Sequence, residues 1–204
     1  MFRNTVISPL CGFFVVMVTF CDSCHVLPEK VMTRYRLCNG PILILQDVGP
    51  CGTTMPKYLE DLSFKVYFGW AELTKTYLLL MVDVDAPMRE YPLLADYIHW
   101  MIADIPGFDL RNGVMSSIRA TELIAYMPPS PPPGSGLHRY QFFLFESPED
   151  STADDLVGYS PDFRARFNLT EFVIRNNLCY NLRATFEFSH QVMRYTMNHL
   201  MMMR

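Results

Sequence analysis

The run Tyr77-Leu78-Leu79-Leu80-Met81-Val82 constrains this chain more than any other stretch. It is apolar without a break, of strand length, and lacks the period-two alternation of a strand with one wet face. Such a run is expected to be a strand buried on both faces, in the middle of a core. It ends in two carboxylates, Asp83 and Asp85, followed by Ala86-Pro87. Side chains two apart on a strand point to the same side. If the extended conformation continues to the end, both acids face one spot where the core strand surfaces, and Pro87 stops the pairing there. A charged strand end that merely meets solvent is the plain alternative.

A length of 204 residues suits one domain with a sizeable core, or two small ones. A formal charge of −4 argues against a nucleic-acid footprint and against a polybasic membrane patch. Residues 1–23 read as a secretory signal peptide. Arg3 and the free amine precede Val6 to Phe20, which is apolar apart from Ser8 and Thr19 and fits a signal peptide better than a spanning helix, a signal anchor being the alternative. Residues 24–204 are then expected to form a single exported domain. Removal of the leader takes away Cys11 and, with the cut placed here, Cys21. Cys24, Cys38, Cys51 and Cys179 remain, four thiols that suggest two disulfides in an oxidising compartment. Because three of them cluster early, at least one bridge is expected within residues 24–51. No spacing of Cys and His marks a structural zinc site. Asn168-Leu169-Thr170 is a glycosylation sequon, usable in an exported chain.

Further along, Asp96 to Ile105 is strand-like, with His99 near its start and Pro106-Gly107 at its end. A lone histidine there is most often half-buried surface. Leu123 to Tyr126 is a short apolar run. Pro128-Pro129-Ser130-Pro131-Pro132-Pro133-Gly134-Ser135-Gly136 resembles a linker or a polyproline ligand, yet it passes straight into the strand-like Leu137 to Phe145. Prolines restrict the backbone and glycines supply unusual dihedrals, so a stiff loop feeding a strand can hold a pocket wall still. His138, Tyr140, Phe142 and Leu144 share one face of that strand. Residues 146–155 form an acidic surface loop. Leu169 to Leu178 is helix-compatible, Leu182 to Phe188 strand-like, and the Met-rich tail from Gln191 is compatible with an amphipathic helix.

VDVDAPMR at 82–89, IHW at 98–100 and PPPGSGLHRYQFFLF at 131–145 together resemble the phosphatidylethanolamine-binding protein family, in order and spacing, across roughly residues 36–190. The leader, the early cysteines and the wording around the proline loop look most like a secreted member. The resemblance implies a mainly β fold: an antiparallel Greek-key β-sandwich with a few short peripheral helices. It also implies a shallow pocket for phosphate-like anions and phospholipid headgroups, with Asp83, Asp85, Pro87, His99, Pro132, His138 and Tyr140 as its ligand-binding residues. Two departures bear on the rim. Val84 stands where the family carries the first proline of its D-P-D-A-P motif, and Met88 where a small polar residue is usual.

Two acids and two histidines converging from strand ends could serve both ends of a zwitterion. Imidazole N–H groups and loop amides would meet the phosphate, and the carboxylates would orient the imidazoles or meet an ammonium. Both histidines are expected at the pocket mouth. The function this supports is a secreted, non-catalytic, monomeric binding protein without a cofactor. Its partner is a phospholipid headgroup or phosphate-like anion, and a protein partner is kept beside it. One alternative is a metal-dependent or acid–base hydrolase using the Asp/His cluster, although no nucleophile stands in a G-x-S-x-G context. A second is a serine protease inhibitor, although no braced reactive loop is visible.

Overall fold

The computed structural model describes residues 37–55, 65–115 and 119–192. The leader, Cys24 and the C-terminal helix expected beyond Val192 lie outside the described residues.

The apolar run is strand β4 (Thr76–Asp83), at the centre of a six-stranded sheet. Its neighbours are β5 (Tyr97–Pro106) on one side and β7 (His138–Glu146) on the other, both antiparallel. β6 (Thr121–Ile124) follows β5, and β8 (Leu182–His190) lies outside β7. The order β7-β4-β5-β6 is a Greek key, because three strands meander and the fourth returns beside the first. One edge departs from the expected antiparallel pattern: β2 (Thr53–Thr54) runs parallel to β8. A separate two-stranded ribbon pairs β1 (Ile44–Leu45) with β3 (Val66–Tyr67).

β4 is buried on both faces, as its composition requires. Tyr77, Leu79 and Met81 pack on one side with Leu45, Val66 and Phe68 from the ribbon region. Leu78, Leu80 and Val82 pack on the other with Leu169, Phe172 and Val173 of helix α2 (Leu169–Arg175). Asn168 caps that helix, its side-chain oxygen accepting from Glu171 N–H, and it is exposed.

Pro106-Gly107 reads as a stop, yet helix α1 (Gly107–Asn112) begins there, with Pro106 in extended conformation as its cap. Gly107 is required by close approach: a Cβ on it would lie 1.9 Å from the Glu72 carbonyl oxygen. The local early bridge is Cys38–Cys51, and Cys179 is disulfide-bonded as well. Among the described residues, no helix is long and apolar enough to cross a membrane.

Candidate functional site

The ends of β4, β5 and β7 coincide because register sets Asp83 opposite Tyr97 on one side and Tyr140 on the other. A cavity of about 220 Å³ opens there. Asp83, Pro87, His99, Pro132, His138 and Tyr140 line it, together with Ala86, Leu94, Tyr97, Met127, Ser130 and Pro131. Asp85 does not.

The expectation that both acids face one spot is corrected by the turn after β4. The strand ends at Asp83, whose Oδ1 accepts from the Asp85 backbone N–H at 2.8 Å. That local bond turns the chain, so alternation no longer governs Asp85. Its carboxylate instead meets Arg139, accepting from Nε (2.8 Å), from a terminal guanidinium nitrogen (2.7 Å) and from the Arg139 backbone N–H (3.0 Å). Burial would raise the Asp85 pKa, but the Arg139 hydrogen bonds and charge hold it below the usual carboxylate range. Val84 uses the N–H that a proline would lack, donating it to the Arg139 carbonyl at 3.2 Å.

The histidines are not at the mouth, as expected, but buried; His138 is 0 % exposed. The His138 Nδ1–H donates to Asp83 Oδ2 at 2.7 Å, and Ser135 Oγ lies 2.8 Å from Nε2. Both ring nitrogens are therefore committed to protein partners, and the ring forms a wall. Asp83, His138 and Ser135 stand in the order of a hydrolytic triad. However, the Ser135 hydroxyl also lies 2.7 Å from the Pro132 carbonyl, and Ser135 does not line the cavity. Its oxygen braces the loop. Among the described residues, no three His, Cys, Asp or Glu side chains form a group able to hold a metal ion.

His99 reaches the cavity through a β-bulge. Met81 pairs with Trp100 and Val82 with Ile98, so His99 is the extra residue, and a bulge re-aims a side chain. Its Nδ1–H donates to the Met127 carbonyl at 2.9 Å, which leaves Nε2 for a ligand. Burial pushes its pKa down, so at neutral pH Nε2 is a lone-pair acceptor. The ring stands edge-on to Tyr140, with centroids 5.1 Å apart. Tyr140 is fully buried and stacks on Phe188, and its hydroxyl makes no well-formed hydrogen bond among the described residues, with the Ser130 backbone beside it. Burial and the nearby Asp83 and Asp85 carboxylates raise its pKa, so it stays a donor. Asp96, beside Tyr97, is pushed up to about 6 by burial and by the Asp83 charge.

Loop amides play a smaller part than expected. Prolines at 128, 129, 131, 132 and 133 carry no N–H. The Gly134 and Ser135 amides donate to the Val192 and Pro132 carbonyls. The loop's stiffness is real in another sense: Gly134 and Gly136 both take φ of 85°, the left-handed region that favours glycine. Tyr97 was legible, since it shares a strand face with His99 two residues on. Met127 and Ser130, in irregular backbone, left no periodic signal.

A sheet flanked by a ribbon and short helices, with a small cavity of mixed apolar and polar lining at its strand ends, defines the class of fold; sequence comparison gives the family. The phosphatidylethanolamine-binding protein family model matches residues 48–187. The chain belongs to that family. It is 34% identical over 122 residues to Protein FLOWERING LOCUS T of Arabidopsis thaliana, covering 60% of this chain and 62% of that protein. The match thus spans less than two thirds of that relative's length. Among solved structures, the phosphatidylethanolamine-binding protein from Plasmodium vivax superposes with a TM-score of 0.62 at 19% identity, covering 76% of this chain and 88% of that one. A carboxypeptidase Y inhibitor, solved with its cognate proteinase, gives 0.60 at 21%, covering 74% and 83%. These two likenesses are of fold.

Proposed function

We propose that this is a secreted, non-catalytic binding protein whose cavity takes a phosphate-like anion or a phosphorylated headgroup. The carrying observation is the Tyr140 hydroxyl, buried in the cavity wall and without a well-formed hydrogen bond among the described residues, with the Ser130 backbone beside it. An orphaned buried hydroxyl is costly unless something meets it. Beside it, His99 Nε2 accepts at neutral pH and donates once protonated. A phosphomonoester monoanion answers both groups, its P–O⁻ accepting from Tyr140 and its P–OH donating to His99. Asp83, on the same wall, is the group an attached ammonium would approach. A cavity of about 220 Å³ fits a small headgroup rather than a larger ligand.

Calorimetric titration with O-phosphoethanolamine and with inorganic phosphate tests this. Tyr140→Phe is expected to weaken binding by roughly tenfold, since a hydrogen bond to a charged group contributes about 1.5–3 kcal/mol. Affinity is expected to rise as pH falls, because an anion favours the charged form of His99. No binding of either compound by the wild type, or equal affinities for Tyr140→Phe, would overturn the anion reading.

Export is part of the same proposal and rests on the leader-like N-terminus, the two bridged sites at Cys38–Cys51 and Cys179, and the exposed sequon asparagine Asn168. Expressed in animal cells, the chain is expected in the medium, shortened at its N-terminus and reduced in mass by glycosidase treatment. Retention in the cytosol at full length would remove both the secretory and the glycan assignments.

A further inference from the structure

We propose that Asn39-Gly40 is a self-modifying site. In the folded protein the Gly40 nitrogen attacks the Asn39 side-chain amide, and the isoaspartate that follows loosens the disulfide-closed edge segment from β8. The observation behind this is a contrast between two Asn-Gly pairs in one chain, Asn39-Gly40 and Asn112-Gly113. Their intrinsic chemistry is the same, because glycine shields its main-chain nitrogen least. The fold treats them oppositely.

Asn39 and Gly40 lie in an exposed bend. Among the described residues, neither the Asn39 side chain nor the Gly40 N–H makes a hydrogen bond, and a Cβ on Gly40 would meet nothing within 4 Å. Nothing there holds the amide and the nitrogen apart. Asn112 instead ends helix α1, and its side-chain nitrogen donates to the Phe108 carbonyl at 2.8 Å. Gly113 takes a φ of 93° and is wedged, since a Cβ on it would lie 2.4 Å from the Tyr67 ring. Val114, next along, exchanges both backbone hydrogen bonds with Val66, at 2.7 and 2.9 Å. Neither member of this second pair is free to swing toward the other.

The reaction balances with water as its only co-reactant. The Gly40 nitrogen bonds to Asn39 Cγ and gives up its proton, and the side-chain nitrogen leaves as ammonia. Water opens the resulting cyclic imide at the side-chain carbonyl to give aspartate, or at the main-chain carbonyl to give isoaspartate. Either product adds one negative charge. Isoaspartate also routes the backbone through the side chain and lengthens it by one methylene. That lengthening falls between fixed points. On one side Cys38 is bridged to Cys51, and the Leu37 carbonyl accepts from Thr185 Oγ1. On the other, the Pro41 carbonyl accepts from Thr185 N–H and Leu43 N–H donates to the Thr185 carbonyl, each at 3.1 Å. A single hydrogen bond yields before a covalent bridge, so the Pro41–Thr185 bond gives way.

The purified full chain, its disulfides intact, would be held in mildly alkaline buffer at body temperature and sampled by peptide mapping that separates aspartate from isoaspartate. A reduced, urea-unfolded sample would be run beside it. In the folded protein Asn39 is expected to convert at least about tenfold faster than Asn112, a modest difference in barrier. In the unfolded chain the two should convert at similar rates. Gly40→Ala, which the open space around Gly40 accommodates, should keep the wild-type unfolding midpoint and slow conversion at position 39 by at least about tenfold. Hydrogen exchange at the Thr185 amide should quicken by at least about threefold in aged wild type and stay unchanged in Asn39→Gln aged alongside. Equal rates at the two sites in the folded protein would overturn the site. So would a ratio that survives unfolding, because local sequence and not the fold would then set it. Unchanged Thr185 exchange in chains that carry isoaspartate would overturn the loosening of β8.

Discussion

His138→Ala is expected to lower the unfolding free energy by about 2–4 kcal/mol, because it leaves the buried Asp83 carboxylate short of a hydrogen-bond donor and removes a fully buried ring. Both partners are almost wholly removed from water, with side-chain exposures of 1% for His138 and 5% for Asp83. The substitution strips Asp83 Oδ2 of the His138 donor and leaves Oδ1 with the Asp85 N–H. It also frees Ser135 and opens a void beside the cavity. Urea titration of wild type and variant measures the loss. A double-mutant cycle with Asp83→Asn separates the pairing from the void. A loss under about 1 kcal/mol, small against that range, would mean that water entering the cavity replaces the imidazole without penalty. Because stability and affinity would fall together in this variant, Tyr140→Phe, which removes only a hydroxyl, is the cleaner probe of ligand binding.

Arg139→Ala is expected to cost about 2–3 kcal/mol, somewhat less because the Arg139 side chain is 25% exposed while that of Asp85 is 2% exposed. Arg139→Lys should recover little, since an ammonium cannot reproduce the two-pronged contact with both carboxylate oxygens. Arg89, 3.6 Å from Asp85 Oδ1, is half-exposed and cannot replace it. The pair also carries a pH signature. The folded-state pKa of Asp85 lies below its ordinary value of 3.8. The unfolded chain therefore binds this proton more readily, and the contribution is complete above about pH 4–5, then lost as pH falls through the folded value. Thermal unfolding should show the gap between wild type and Arg139→Ala shrinking below pH 4. A constant gap down to pH 2.5 would contradict the assignment.

The cavity histidines show how far local pattern reaches. His138 and Tyr140 were legible as neighbours on one strand face behind a proline-glycine loop. That His138 spends both nitrogens inside the protein was not, because its partner Asp83 is 55 residues away and meets it only through the β4–β7 register. His99 was visible as a polar residue near a strand start. The bulge that aims it depends on a mismatch between β5 and β4, and neither strand encodes that alone. Helix α1 was hidden by Pro106-Gly107, which in isolation stops a strand but here caps a helix packed on the Glu72 backbone.

The amino-acid sequence alone determined the buried central strand, the strand-like runs after it and the stiff loop, while the family resemblance pointed to Asp83, Pro87, His99, Pro132, His138 and Tyr140, which line the cavity. Runs and alternation are local properties, and burial of apolar surface follows them. Only the tertiary structure decided that Asp85 turns away to Arg139, that Val84 donates to the Arg139 carbonyl, and that the buried Tyr140 hydroxyl lacks a well-formed hydrogen bond among the described residues. A polar group's role depends on which partner comes within about 3 Å of it. For strands brought together across the fold, that distance is set by register and turn geometry, which no single stretch of sequence contains.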